Sequence, residues 1–291
     1  MIRAARPLLL LATVALAAAS RAQEVLKDQI YLKQGGAAFT MDVFKPAKPN
    51  GMAVIFVMSG GWFSDHSMIN AGVAKGFNDN GITLIQVVHG SQPLYKIPQI
   101  EGQIVRSVRY VRANAARFGI DPKRIGMVGM SAGGHLTLMT AATGDDGNAN
   151  SADPVEQASS RLQAAVAYYP PTDFLNWGGS SQVPMSEAQM APFIPAFGVD
   201  PKGPKPAIDA RLREVSPIYR ITAQFPPTLL VHGDKDPLVP LQQSQSFDKA
   251  LEAAGRTHRL IVVSGGAHGG DAFTPSYVDL LRWFVDHLDG K

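Results

Sequence analysis

The sequence predicts an α/β fold, with a mostly parallel central sheet and helices on both faces. Two observations carry that expectation. Short, continuously apolar runs that suit strands buried on both faces recur along the chain. Between them lie longer segments whose apolar residues fall at helical spacing. Strands that alternate with helices pair in parallel, and the reactive crevice of such a sheet lies at the carboxyl ends of its strands.

The N-terminus stands apart from this pattern. Arg3 and Arg6 precede an apolar run over 8–19, and Ser20 and Ala22 supply small residues at the third and first positions before a cut. This predicts a signal peptide over 1–22, cleaved after Ala22, and a mature chain over 23–291 that is secreted or periplasmic. The run is too short for a comfortable transmembrane helix, so no membrane anchor is expected. Loss of Arg3, Arg6 and Arg21 takes Lys+Arg from 27 to 24, equal to the 24 Asp+Glu, so the mature chain has no basic surplus for nucleic acid. With no cysteine in the chain, disulfides, thiolate catalysis and cysteine-ligated metals are excluded.

Alternating patterns at 29–33 and 39–44 predict an early strand pair. Apolar strands follow at 54–58, 83–88, 125–128, 164–168, 228–232 and 260–263, with helices at 69–80, 99–116, 132–143, 241–254 and 276–287. The helix entered after Pro98 carries its stripe on Ile100, Ile104, Val108 and Val111. Residues 170–227 break the alternation. They are proline-rich, contain Trp177 and give one helical signal near 209–214, so they predict a lid or cap inserted over the sheet's edge. The polar stretch 144–160 predicts an exposed loop with a short helix. Its Asp145, Asp146 and Asp153 lack EF-hand spacing and are read as solvated acids in preference to a Ca²⁺ site, so no metal is expected.

Chemistry enters at "RIGMVGMSAGGHL", which sets Gly129-Met130-Ser131-Ala132-Gly133 between an apolar strand and an apolar helix. Glycines two residues either side of Ser131 relieve a tight strand-to-helix turn, so the hydroxyl stands above the sheet and the Ala132 N–H points into the site. A serine hydroxyl is a weak nucleophile unaided and needs a histidine base held by a carboxylate. "TLLVHGDKDPLVP" ends a strand with Asp234 and Asp236 in the following loop, and "LIVVSGGAHGG" places His268 in the glycine-rich loop after the last strand. Asp236, followed by Pro237, is preferred as the acid, with Asp234 expected to fix the loop backbone. His89, at a strand's carboxyl end, is the rival retained for the base, and Asp173 is read as a structural hydrogen-bonder.

These blocks resemble one family. "FGIDPKRIGMVGMSAGGHL", "HGDKDPLVP" and "GGAHG", in the order Ser131, Asp236, His268, resemble the α/β-hydrolases of the esterase/lipase group, within it the BD-FAE-like secreted enzymes similar to acetylxylan and feruloyl esterases. The resemblance covers nearly all of the mature chain. It implies an acyl-enzyme mechanism without cofactor, with Ser131 as nucleophile, His268 as base and Asp236 as acid. "AVIFVMSGGWFSDH" resembles the family's oxyanion block, written His-Gly-Gly-x-Trp, except that Ser59 stands where histidine is usual. On that match the N–H groups of Gly61 and Trp62, with that of Ala132, meet the oxyanion. Trp62, Phe63, Met130 and Trp177 are the substrate-binding candidates.

The function expected is a secreted carboxylic-ester hydrolase acting on a small-molecule or polysaccharide-linked ester. An amide hydrolase, formamidase-like or prolyl-oligopeptidase-like, shares the triad blocks; the large N-terminal propeller usual in the peptidases is not expected ahead of the early strand pair, which disfavours the peptidase and leaves the formamidase open. A non-catalytic binding protein on the same fold is disfavoured by the complete triad. The sequence leaves acyl and alcohol specificity and oligomeric state open.

Overall fold

The computed structural model describes residues 24–180, 182–185 and 188–289, and the expected signal peptide lies outside the described residues. Eight strands form one sheet in the order β1-β2-β4-β3-β5-β6-β7-β8. They are β1 (Glu24–Gln34), β2 (Ala37–Lys45), β3 (Ala53–Val57), β4 (Thr83–Val87), β5 (Ile125–Met130), β6 (Ala164–Tyr168), β7 (Thr228–Gly233) and β8 (His258–Val263). The first two pair antiparallel and β2 runs antiparallel to β4, while every other pairing is parallel. The early strand pair is therefore a hairpin, longer than its alternating pattern predicts.

Among the described residues six helices have nine or more residues: α1 (Ala71–Asp79), α2 (Ile97–Ala113), α3 (Ala132–Thr143), α4 (Lys205–Glu214), α5 (Gln242–Ala253) and α6 (Tyr277–Leu288); α4 packs against the Pro217–Arg220 turn and the other five pack on the sheet. The first departs from its expected bounds by two residues at its start because Asn70 caps it, its side chain accepting from the Gly72 N–H. Helix α2 begins at Ile97, so Pro98 lies inside the first turn and not ahead of the helix. The missing N–H costs nothing there, since first-turn amides have no partner within the helix.

Alternate residues of the central strands feed two cores. Ile55 and Val57 join the cluster under α2 and α3, whereas Val54 and Phe56 join the one under α1 and α6. All five residues of β3 are buried, which is why the strand reads as a continuous apolar run. In α6 the buried Leu280, Trp283, Phe284 and Leu288 make a single helical stripe. Burying each such large side chain is worth roughly 1.5–3 kcal/mol, so the sheet is a stiff platform for what its strand ends carry.

Between β6 and β7 the chain 170–227 holds a short turn of helix (Ile194–Phe197), α4 and a 3-10 turn (Pro217–Arg220). Phe174 and Phe197 from this stretch pack edge-to-face with ring centroids 4.8 Å apart, and both lie against Trp62. The loop after α3 is pinned from one side by a row of arginines at three-residue spacing on α2. Arg109 pairs with Asp145, Arg106 with Asp153 and Glu156, and Arg112 with the carbonyls of Ser159 and Arg161. Asp146 is bound by Arg161. The three aspartates weighed as Ca²⁺ ligands are thus each matched by a guanidinium.

Candidate active site

The turn from β5 into α3 explains its glycines by distance. A Cβ at Gly129 would stand 2.2 Å from the Gly133 backbone, and one at Gly133 would stand 2.7 Å from the Val57 carbonyl. Neither can exist without parting helix from strand. Between them Ser131 takes φ +51°, a left-handed conformation that a non-glycine residue holds only where surrounding structure dictates it. Its N–H donates to the Tyr168 carbonyl at 2.9 Å and its carbonyl accepts from the His135 N–H, so neighbours on both sides fix the turn.

Ser131 Oγ donates to His268 Nε2 at 2.9 Å, and His268 Nδ1–H donates to Asp236 Oδ2 at 2.6 Å. Both distances fit proton transfer without rearrangement. The second Asp236 oxygen accepts the N–H groups of Leu238 and Val239 at 2.8 and 2.9 Å. Burial of Asp236 opposes its charge, but hydrogen bonds from His232, His268 and Val239 outweigh it and hold the carboxyl well below the usual carboxylate range. The acid is therefore ionised at any working pH, as an orienting group for an imidazole must be.

The rivals fall elsewhere. Asp234 accepts from the Gly265 N–H at 2.7 Å, bracing the loops after β7 and β8, while Asp173 accepts from Leu175 N–H and Tyr219 hydroxyl. His89 bonds its neighbour's carbonyl through Nδ1, and burial pushes its pKa down to about 4, which keeps it neutral.

Across from the serine, Gly60 and Phe63 exchange both backbone hydrogen bonds of a tight turn, at 3.0 and 2.9 Å. The central residues have φ +55° (Gly61) and +61° (Trp62), as a type I′ turn requires, and their own N–H groups stay out of the turn's bonds. Their carbonyls are taken by Gln92, whose backbone N–H donates to Trp62 and whose side-chain amide donates to Gly61 at 3.1 Å and to the Pro192 carbonyl at 2.7 Å. Gln92 thus ties this turn to the 170–227 stretch. A Cβ on Gly61 would stand 2.6 Å from the Phe193 ring, so glycine is required by that neighbour as well as by the backbone.

Gly61, Trp62, Ser131 and Ala132 line one small cavity, about 330 Å³ counted to its open mouth, with Phe174, Trp177, Met190 and Phe193 as its apolar wall. Trp62 both lines the cavity and packs the turn against Phe174, Phe193 and Phe197. Its indole N–H donates to His135 Nδ1 at 3.2 Å, and His135 Nε2–H donates to the Val215 carbonyl at 2.7 Å. Burial lowers the His135 pKa to about 4, so the ring stays neutral and can accept from the indole. Two substrate-binding candidates do not reach the cavity wall. Phe63 sits past the turn and points to solvent, 42% exposed, and Met130 faces the opposite side of the sheet, packing with the core under α1 and α6. Strand alternation accounts for Met130.

Sequence context reads His135, in the first turn of a helix, and His232, at a strand end, as ordinary structural histidines, and it does not single out Gln92 or Tyr169. His232 is wholly buried, with Nε2–H donating to the Val239 carbonyl at 2.9 Å and lying 3.4 Å from Asp236 Oδ2. The signal available was a histidine in an otherwise apolar strand or helix, which must find a partner when buried.

The BD-FAE family model matches residues 41–251. The chain belongs to the BD-FAE family. It is 28% identical over 231 residues to esterase LipC of Mycobacterium tuberculosis, covering 78% of this chain and 54% of that protein. It is 35% identical over 153 residues to the probable carboxylic ester hydrolase LipM of the same organism, covering 53% of this chain and 33% of that one. The chain thus spans about half or less of the length of these curated relatives. Among solved structures, an acetyl ester-xyloside bifunctional hydrolase from Caldicellulosiruptor lactoaceticus superposes with TM-score 0.68 at 27% identity, covering 88% of each chain. A truncated carbohydrate esterase from gut microbiota shares the fold with TM-score 0.79 at 24% identity, over 91% of this chain and 96% of that one. The α/β-hydrolase fold is therefore that of this chain.

Proposed function

We propose that this BD-FAE family member is a serine hydrolase of carboxylic esters, with Ser131 as nucleophile, His268 as base and Asp236 as the orienting acid. The observation that carries the reading is the unbroken relay from Asp236 through His268 to Ser131, at 2.6 and 2.9 Å, opening on the cavity that Gly61, Trp62 and Ala132 also line. His268 takes the serine proton as Oγ attacks the acyl carbon, and Asp236 stabilises the imidazolium formed. The N–H groups of Gly61, Trp62 and Ala132 receive the developing oxyanion, where loss of one donor costs roughly 100- to 1,000-fold in turnover. His268 then protonates the leaving alcohol, and water releases the acid by the reverse route.

Ester preference over amide is supported by the relatives, which carry esterase names. A short acyl chain is favoured by the small cavity, closed by Phe174, Trp177 and Phe193. A polysaccharide-linked acyl ester as natural substrate is supported by the bifunctional acetyl ester-xyloside hydrolase among the structural neighbours. Export is supported by the leader pattern at 1–22.

The test is hydrolysis of p-nitrophenyl acetate, butyrate and palmitate, with feruloyl and matched amide substrates alongside. Acetate and butyrate are expected to turn over fastest, and Ser131→Ala is expected to lose roughly 10⁴- to 10⁶-fold in kcat. Wild-type rates in that variant would remove Ser131 from its role, and faster cleavage of the amides would overturn the ester assignment.

A further inference from the structure

The geometry points to Tyr169 as a positioning residue that sets the His268 imidazole against Ser131, an inference resting on the triad reading above. Tyr169 follows the last residue of β6 and takes φ +37°, a conformation that disfavours any side chain with a Cβ. Positions of this kind persist only where the surrounding structure dictates them, and they cluster where function demands a fixed direction. Here the strained backbone sends a buried ring, 3% exposed, against the imidazole of His268, with centroids 4.4 Å apart and planes inclined at 52°.

The same dipeptide registers the other partners. The Tyr168 carbonyl accepts the Ser131 N–H at 2.9 Å, and the Tyr169 N–H donates to the Val231 carbonyl at 2.7 Å, one residue before His232. Strand β6 lies between β5, which delivers the serine, and β7, which delivers the aspartate. One backbone step therefore sets the spacing from the nucleophile to the base. The His268 loop needs such a stop, because Cβ atoms built at Gly265, Gly269 and Gly270 would meet nothing within 4 Å. The glycines at the loop's tip offer the imidazole no side chain to pack against, and the Tyr169 ring supplies a wall.

Three variants test this: Tyr169→Phe, which keeps the ring; Tyr169→Leu, which removes it; and Tyr169→Asn, which removes it with a residue that tolerates left-handed backbone and so folds if leucine does not. Two readouts are taken, steady-state ester hydrolysis and the NMR chemical shifts of the His268 ring protons at one fixed pH, which require no turnover. The phenylalanine variant is expected within about threefold of wild type in kcat. The leucine and asparagine variants are expected to lose 10- to 100-fold in kcat with KM within twofold, as misplacement of a reacting group does. Their His268 ring-proton shifts move away from wild type, because the aromatic ring 4.4 Å from the imidazole is gone, while the phenylalanine variant keeps them. Leucine or asparagine variants with wild-type kcat would overturn the inference. Ring-proton shifts that move in the leucine and asparagine variants of a protein whose wild type cleaves no ester would instead sink the ester reading and leave the positioning role standing.

Discussion

Ser131 and His268 both sit among glycines, yet the glycines around the serine are pressed against backbone while those at the tip of the histidine loop face open space. Gly129 and Gly133 lie where any Cβ would overlap main-chain atoms at 2.2 and 2.7 Å. Gly61, across the cavity, is closed by the Phe193 ring at 2.6 Å. The histidine loop is packed only at its root, where a Cβ on Gly233 would meet the Gly266 carbonyl at 2.1 Å. Beyond that point its hold comes from hydrogen bonds to Asp234 and Asp236 and from the ring of Tyr169. Close packing fixes Ser131 and hydrogen bonds hold His268, which suits the proposed roles of a nucleophile that must not move and a base that must donate and accept in turn.

The largest effect should come from cutting the hydrogen bond that holds the base. Asp236→Asn presents His268 Nδ1 with an amide that can donate, which favours the wrong tautomer, and kcat should fall roughly 10⁴-fold with the fold intact. Steady-state kinetics with a circular dichroism melt check both halves. A loss under tenfold would mean that the histidine side does not depend on that bond.

On the serine side the damage should be structural. Gly129→Ala forces α3 away from β5, and overpacking of that kind costs about 3 kcal/mol or more, so urea unfolding should move to a markedly lower midpoint. An unshifted midpoint would contradict the packing account of the elbow.

The two sides should also differ in acid. His135, behind Trp62 on the serine side, has its folded pKa lowered to about 4 by burial, and His89 likewise. Between the unfolded histidine value near 6.5 and about 4 the unfolded chain takes up protons that the folded one refuses, so stability falls as pH drops through this window. Each histidine contributes on the order of 3 kcal/mol to that fall. Asp236 works at lower pH. Its folded pKa lies below the carboxylate range, so the stability it lends is present above about 4 and is lost only as pH falls further. Denaturation of wild type and His135→Gln at pH 7 and pH 4.5 should show the variant losing less stability between the two, and equal losses would break this difference between the sides.

Every strand and the elbow were legible in the sequence because their signals are local. A buried parallel strand shows as an apolar run, and G-x-S-x-G states its own turn. Asp236 and His268 were legible by their place after β7 and β8. What stayed hidden depends on which distant residue arrives opposite. The 170–227 stretch gave composition but no partner, so nothing in the chain announced that Phe193 would close on Gly61 or Pro192 on Gln92. His135 looked bland in the first turn of a helix until Trp62, far back in the chain, supplied its donor. Phe63 read as a pocket aromatic because it follows Trp62, yet a type I′ turn reverses the chain there and sends it outward. Ser59, the departure from the family's histidine, has a buried hydroxyl with no hydrogen-bond partner among the described residues, and the turn beside it closes through Gly60 and Phe63 without its help.

The smallest expected effect probes the open tip of the histidine loop. Gly270 begins the short helix Gly270–Phe273, carries no left-handed φ, and has room for a methyl group. Gly270→Ala should lower the entropy of the unfolded chain without a clash, raising stability by about 0.5–1 kcal/mol. Because the tip is fixed by Tyr169 and Asp236 and not by its glycines, kcat should stay within twofold. Differential scanning calorimetry and a kinetic assay on the same preparation decide it. A stable variant with a tenfold lower kcat would show that freedom at the tip is itself used in turnover, and the contrast between a packed serine and a bonded histidine would become one between a fixed group and a moving one.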